Sequence, residues 1–399
     1  MIDKIGERCT GCYACAGACP KHCIQMVEDK EGFWYPRIDP AACVKCNLCE
    51  KACPVLSPLE NRRTKEDVAA YALIHRDEDV RRKSSSGGAF SALASAVLRQ
   101  GGVVFGAAFD ENFDVRHVAV TEEKELDRLR GSKYVQSRIG DCYAQAKQYL
   151  DAGRLVYFSG TACQTSGLLG FLGKDYPNLL TQDLICHGVP SPLAWRKNVQ
   201  LRERLARAKT ERVFFRDKAH GWKNWHLRMD FRDGSFYELS QFEHPYIIAY
   251  LRGICSRPCC YACDFKDRYR LADFTLADLW GVDNLLPEIN DDKGVSLLLV
   301  NSGKAAAFLE KISASVRLYP LDFDAAVKEN GALVESETHN PNREAFLKEL
   351  RRRPFDVVAG KYQGDYTLER RLRWFARRAL GNKRYEKIFH NLPRKGRGK

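Results

Sequence analysis

Eight cysteines near the N-terminus repeat one spacing twice. Cys9, Cys12, Cys15 and Cys19 precede Pro20, and Cys43, Cys46, Cys49 and Cys53 precede Pro54. In the pattern C-x2-C-x2-C-x3-C-P, three close thiolates wrap one iron–sulfur cube and the fourth reaches across to another. It assigns Cys9, Cys12, Cys15 and Cys53 to one [4Fe–4S] cluster, and Cys43, Cys46, Cys49 and Cys19 to a second. Zinc is the rival, since C-x2-C pairs also hold zinc. It gives no reason for a third cysteine and a proline at matched offsets in both copies. The chemistry to explain is therefore the passage of single electrons.

Seven further cysteines lie beyond this segment. Cys163 sits in Gly160-Thr161-Ala162-Cys163-Gln164, just after an expected strand, and Cys186 in Cys186-His187-Gly188, at the end of another. Cys260 and Cys263 form a C-x2-C with Cys255 and Cys259 nearby, which on spacing alone is half a metal site. Cys142, on an expected helix, and Cys23, out of register with the first motif, read as small buried hydrophobes.

The elements that must position these residues follow from apolar runs and their punctuation. Glu28 to Pro36, a charged turn followed by aromatics, suits a hairpin over the clusters. Val55 to Asp67 reads as a linker. Strands are expected at Val68–Ile74, Gly102–Phe109, Leu155–Phe158 and Leu179–Cys186. Between the first two, Ser84-Ser85-Ser86-Gly87-Gly88 opens a segment with apolar residues at helical spacing, the serine as N-cap. His226–Phe231 and Ser235–Leu239 flank Asp233-Gly234 as a hairpin. Phe274–Leu276 and Val295–Val300 are further strands. Mixed βα and hairpin patterns predict α+β.

The chain has 399 residues, enough for a large core besides the short ferredoxin. Hydrophobic residues make up 45 %, which argues against disorder. The first residues show no secretory signal, and no apolar run is long enough to span a bilayer. With 16 cysteines, this points to a reducing cytoplasm. The formal charge is +13, yet residues 366–399 alone carry 12 Lys and Arg against Glu369 and Glu386. That tail reads as amphipathic helix, with Leu368, Leu372, Phe375, Ala376 and Ala379 on one face. It could rest peripherally on an anionic membrane at its inner face, dock an acidic partner, or stand solvated. The body has no basic patch or reading motif for nucleic acid.

Eight motifs in order carry a resemblance. They are Ser84-Ser85-Ser86-Gly87-Gly88-Ala89-Phe90, Arg130-Gly131-Ser132-Lys133-Tyr134-Val135-Gln136-Ser137, Gly160-Thr161-Ala162-Cys163-Gln164 and Asp183-Leu184-Ile185-Cys186-His187-Gly188. Phe215-Arg216-Asp217-Lys218, Cys260-Tyr261-Ala262-Cys263, Ala277-Asp278-Leu279-Trp280-Gly281 and Asp292-Lys293-Gly294-Val295-Ser296 follow. Over residues 1–305 the chain resembles the beta subunit of coenzyme F420-reducing hydrogenases and dehydrogenases, in the form with an N-terminal ferredoxin. The resemblance implies FAD in the domain after the ferredoxin. It also implies a third [4Fe–4S] cluster beside the flavin, on Cys163, Cys186, Cys260 and Cys263. Ala162 departs from a common proline, and Cys259 from a frequent serine, so Cys259 or Cys255 could replace one of the pair.

For the flavin, Ser85, Ser86, Gly87 and Gly88 at a helix start offer backbone N–H groups to a diphosphate. Lys133 and Tyr134 are expected at phosphate or ring, Asp278 and Trp280 at the ring, and His187 as a proton source. An ordinary capped helix, a surface lysine and a structural histidine are the plainer alternatives.

The expected architecture is α+β: a two-cluster ferredoxin over residues 1–57, a linker over 58–67 and a mixed-sheet flavin-binding core over 68–320. An extension over 321–365 and the basic tail over 366–399 complete it. The expected activity is an iron–sulfur flavoprotein oxidoreductase between a ferredoxin-type carrier and an organic substrate or deazaflavin. The alternatives are a non-catalytic electron-transfer subunit and an oxygen-sensing regulatory protein.

Overall fold

The computed structural model describes residues 2–61 and 63–362, so the basic tail lies outside the described residues. The N-terminal unit repeats its backbone as well as its cysteines. Gly11 and Tyr13 have positive φ, and so do Lys45 and Asn47 at the equivalent places in the second motif. Each pair turns the chain into a short helix, Ala14–Gly17 or Leu48–Lys51. Antiparallel strands β1 (Ile24–Glu28) and β2 (Trp34–Ile38) form the expected hairpin.

The core is an eight-stranded mixed sheet. Its strands are β3 (Ala69–His75), β4 (Val103–Phe109), β5 (Val115–Val120), β6 (Val156–Ser159), β7 (Leu179–Leu184), β11 (Phe274–Asp278), β12 (Ser296–Val300) and β13 (Val316–Leu321). Their order is β13-β3-β12-β11-β7-β6-β4-β5. The run β11-β7-β6-β4 is parallel, and its neighbours are antiparallel. A smaller antiparallel sheet holds β8 (Thr210–Asp217), β9 (His226–Phe231) and β10 (Phe236–Ser240), in the order β10-β9-β8. The mixed α/β architecture with a ferredoxin-like N-terminal unit is the one the patterning predicts.

Alternation along the strands feeds two apolar layers. Leu73, Val104, Tyr157 and Leu180 pack with the Ala89–Arg99 helix. Val103, Phe105, Phe158 and Leu179 pack the other way, with Tyr143, Leu168 and Leu172 of the Cys142–Asp151 and Ala162–Leu172 helices. Cys12, Tyr13, Ala14, Trp34 and Ala52 of the ferredoxin join that second layer. The small sheet has its own core around Trp195, Phe215 and Tyr246. The helices Arg343–Leu350 and Phe355–Tyr362 close it with Phe346 and Phe355.

The Val55–Asp67 stretch has, among its described residues, no helix or strand beyond a single helical turn at Lys65–Asp67. It is nonetheless tied down, since Asn61 Nδ2 donates to Tyr269 O at 2.6 Å and Arg63 to Ala272 O at 2.7 Å.

The ferredoxin is held to the core by buried arginine. Arg257 is fully buried, and its guanidinium donates to Cys9 O at 2.6 Å, Trp34 O at 3.0 Å and Gln136 Oε1 at 3.1 Å. It also lies over Tyr35, 4.2 Å from the ring centroid. Arg343 adds a bond to Glu31 at 2.6 Å. An Arg257→Met protein leaves three buried acceptors unpaired, each costing about 1–3 kcal/mol. Its melting temperature is expected to fall by about 4 °C or more, measured by anaerobic calorimetry.

Candidate functional site

Two cavities lie inside the ferredoxin. One is lined by Cys9, Cys12, Cys15 and Cys53 with Ile2, Tyr13, Met26 and Val55. The other is lined by Cys19, Cys43, Cys46 and Cys49 with Ile24, Ile38 and Val44. These are the two sets read from the spacing. Four thiols in an apolar shell fit a cube, and Gly11 N donates to Cys9 Sγ at 3.4 Å, a bond that favours the thiolate. Cys23 is buried in the ferredoxin's apolar cluster, as its place out of register suggested. Its sulfur lies 3.3 Å from Cys19 Sγ and lines the second cavity.

The third group assembles from three loops. Cys163 has Cys186, Cys263 and the ferredoxin's Cys12 as electrostatic neighbours, and Cys186 has Cys260 and Cys263. Burial pushes the Cys186 thiol up to about 12, and the Cys163 thiol well above its ordinary value. A metal that displaces the protons removes that penalty. The ammonium of Lys266 stands beside Cys186, Cys260 and Cys263, donating to Cys186 O at 2.6 Å. Val189 N donates to Cys260 Sγ at 3.4 Å and Thr161 Oγ1 lies 3.1 Å from Cys163 Sγ. Cys259 lies against Cys260, whereas Cys255 is fully buried among Trp195, Tyr246 and Ile254. Cys142 donates to His117 O at 3.3 Å from within the core.

The main cavity, about 590 Å³, opens beyond the carboxyl ends of the parallel strands. Open α/β sheets bind ligands in that crevice. Ser84–Ser86 and Gly88–Ser91 line one part. Ser159, Gly160 and Thr161 from the end of β6, and Leu184–Pro190 from the end of β7, line another. Asp278 at the end of β11 and Trp280 just after it line the cavity with Tyr134, Trp225, Gln241 and Tyr250. The cavity therefore brings together Ser85, Ser86, Gly88, Lys133, Tyr134, Cys186, His187, Asp278 and Trp280.

The helix start differs in detail from the expectation. The N-cap is Gly88, not a serine, and no side chain caps the helix. Gly88 has φ 98°, and a Cβ there would stand 2.8 Å from His75 Cβ. Gly87 is not in the cavity wall, because a Cβ would collide with the Leu73 carbonyl oxygen and Ser296 N. The serine hydroxyls are engaged elsewhere. Ser86 donates to Val295 O at 2.8 Å, and Ser85 Oγ accepts from Ser132 N at 2.6 Å. An uncapped 11-residue helix start on a cavity suits an anion.

Lys133 Nζ donates to the carbonyls of Leu129, Arg130 and Gly131 at 3.0–3.3 Å, and burial pulls its pKa down to about 7. Tyr134 stacks on Tyr250 with ring centroids 4.9 Å apart. His187 meets Tyr250 edge-on at 6.1 Å, and burial lowers its pKa. Asp278 is committed to protein partners: Arg216 at 2.8 and 3.1 Å and Trp222 Nε1 at 2.9 Å. Trp280 stacks on Trp222 at 5.3 Å and stays 40 % exposed at the rim. Arg216, Arg257 and Lys266 were not singled out from the sequence.

Models of the coenzyme F420 hydrogenase/dehydrogenase beta subunit match residues 70–141, as its N-terminal part, and 153–324, as its C-terminal part. The chain belongs to that family. A 4Fe-4S dicluster domain matches residues 8–56. The ferredoxin 7Fe of Hydrogenibacillus schlegelii is 35 % identical over 79 residues, covering 19 % of this chain and 95 % of that protein. An uncharacterized protein from the rpl9–rpl11 intergenic region of Porphyra purpurea is 42 % identical over 53 residues, covering 12 % of this chain and 69 % of that one. A chain in the xenon-derivatized F420-reducing [NiFe] hydrogenase complex of Methanosarcina barkeri aligns over 76 % of this chain and 94 % of its own length. The TM-score there is 0.45 and the identity 16 %. Membership in this family makes the chain an iron–sulfur protein of hydrogenase/dehydrogenase type. Among the described residues no helix is long and apolar enough to cross a membrane.

Proposed function

We propose that the chain is an iron–sulfur flavoprotein oxidoreductase. It passes electrons between a ferredoxin-type carrier and an organic substrate or deazaflavin in the main cavity. The observation that carries this reading is the position of Cys186. It stands in the cavity wall and also among Cys163, Cys260 and Cys263. Cys163 in turn neighbours Cys12 of the ferredoxin. Cysteines thus neighbour one another in turn from the protein's N-terminal unit to its main cavity.

The residues of the cavity fit FAD. The open N–H groups at Ala89–Ser91 suit a diphosphate, the Tyr134–Tyr250 pair and Trp280 suit a planar ring, and 590 Å³ is ample for a large cofactor. When bound, a flavin supplies the exchange between single electrons and electron pairs. The chain's own part is to orient the ring, exclude water with Trp222, Trp225 and Tyr250, and place a proton at His187. Arg216 holds Asp278 in position, so we assign Asp278 to shaping the rim and not to direct contact.

Anaerobic purification followed by iron, sulfide and flavin quantification tests this reading. About 12 iron atoms and one FAD per chain are expected, three cubes of four irons each. About eight irons and no flavin would instead mark an electron-transfer subunit without a substrate site.

A further inference from the structure

A second metal-ligand group lies on the small sheet, apart from every cysteine. His220 is in the β8–β9 connection, His226 opens β9 and Glu238 is in β10. Glu238 Oε1 stands between the imidazoles, 3.0 Å from His220 Nε2 and 3.8 Å from His226 Nδ1. One ligand atom from each of the three lies within 4.8 Å of the others. The rings stack at 4.1 Å, although their residues are six positions apart. His226 Nδ1 is shielded from solvent and has no hydrogen-bond partner. Stacking of two imidazoles gains little, and a buried ring nitrogen without a partner is costly. A divalent cation satisfies both.

We propose that His220, His226 and Glu238 bind a zinc-like divalent cation, with water at a fourth position. Two nitrogens and a carboxylate oxygen are the donor set of three-ligand zinc sites. Tetrahedral bonds of about 2.0–2.1 Å place ligand atoms roughly 3.3 Å apart, so the widest pair closes by at most about 1.5 Å. The ion's charge is balanced by Glu238 and by Asp217, which stands opposite His226 in the β8–β9 register. Carboxylate Glu243 lies near as well.

The site would tie the β8–β9 connection to the β9–β10 hairpin, and that connection carries parts of the main cavity. Lys218 Nζ donates to the carbonyls of Arg81, Ser86 and Lys293 at 2.7, 3.0 and 2.7 Å, bracing the serine loop. Trp222 backs Trp280, and Trp225, beside His226, lines the cavity. The cation would therefore hold the rim in place without meeting the substrate.

The test uses anaerobically purified full-length protein loaded with zinc alone and then passed through gel filtration. One zinc per chain is expected to survive, with an X-ray absorption shell of nitrogen and oxygen at about 2.0–2.1 Å and no sulfur. His220→Ala and Glu238→Gln are each expected to lower retained zinc at least tenfold while iron content stays unchanged. Loss of zinc on the column, equal retention by both variants, or a sulfur shell near 2.3 Å would each overturn the proposal.

Discussion

A protein with serine at position 163 is expected to keep two [4Fe–4S] clusters and lose the third. Cys163 is the second residue of the Ala162–Leu172 helix, fixed by the turn at Thr161, whose side chain and Gln164 close a capping box. Its thiol has Cys186 and Cys263 as neighbours, and the loop Ser159–Thr161 before it holds no other cysteine to replace it. Serine keeps the shape but offers a hard, protonated oxygen where a soft thiolate is needed. Iron should drop from about 12 to about 8 per chain, while low-temperature EPR of the two ferredoxin clusters persists. Reduction of whatever occupies the main cavity, driven through the ferredoxin, should fall by about 100-fold or more. Full iron in the Cys163→Ser protein would refute the assignment. Cys259 lies against Cys260, so Cys259→Ser should cost little. If instead it removes the cube and Cys260→Ser does not, the partners are exchanged and the site stands.

The ferredoxin was legible because cluster ligation fixes its cysteines in sequence. The spacing that names the ligands also gives the cavities. The strands of the large sheet were legible too: Val103–Phe109, Val156–Ser159 and Leu179–Leu184 are short apolar runs bounded by glycine or polar turns. Their order was not, since β3 lies between β12 and β13, whose residues come more than 200 positions later. Pairing at that separation depends on the packed whole. The serine loop shows the same limit at the scale of one residue. Serine next to a helix is a good cap by propensity, yet Val295, Ser132 and Val80 take the three hydroxyls first. Gly88 then begins the helix with its N–H groups open.

Basic residues were the largest blind spot. Arg257, Lys266 and Arg216 look like surface residues in a one-dimensional reading, because Lys and Arg are rarely buried. Arg257 and Arg216 are buried here and Lys266 is half-buried, against partners that the fold brings in from far away. These are the carbonyls of Cys9 and Trp34 for Arg257, those of Cys186 and Ala332 for Lys266, and the Asp278 carboxylate for Arg216. Arg257 sits in sequence beside the Cys259–Cys263 loop and in space against Cys9. A positive charge there favours electrons on both groups of thiolates at once.

Replacing Gly170 with valine is expected to slow electron entry from the ferredoxin while sparing every cluster. The Ala162–Leu172 helix presents Gly167 and Gly170 to the ferredoxin. A Cβ at 170 would stand 2.6 Å from Ala52 O, the residue before ligand Cys53. At 167 it would stand 3.0 Å from both Cβ and Sγ of Cys12 and 2.9 Å from the Tyr143 hydroxyl. Cys163 is four residues before Gly167, a rise of about 6 Å along the same helix. The helix thus sets the separation between the first ferredoxin cluster and the third group of thiols, and bare glycine backbone keeps it short. Valine must push the Ala52 backbone outward, at a cost of about 1–3 kcal/mol. Tunnelling weakens exponentially with that displacement. Stopped-flow reduction of the anaerobic protein should therefore slow by about tenfold or more in Gly170→Val. Gly167→Ala, which meets a side chain and sulfur, should be milder. Iron and sulfide contents should match the unaltered protein in both. A Gly170→Val protein with full iron and an unchanged rate would mean that electrons reach the main cavity without passing between Cys12 and Cys163.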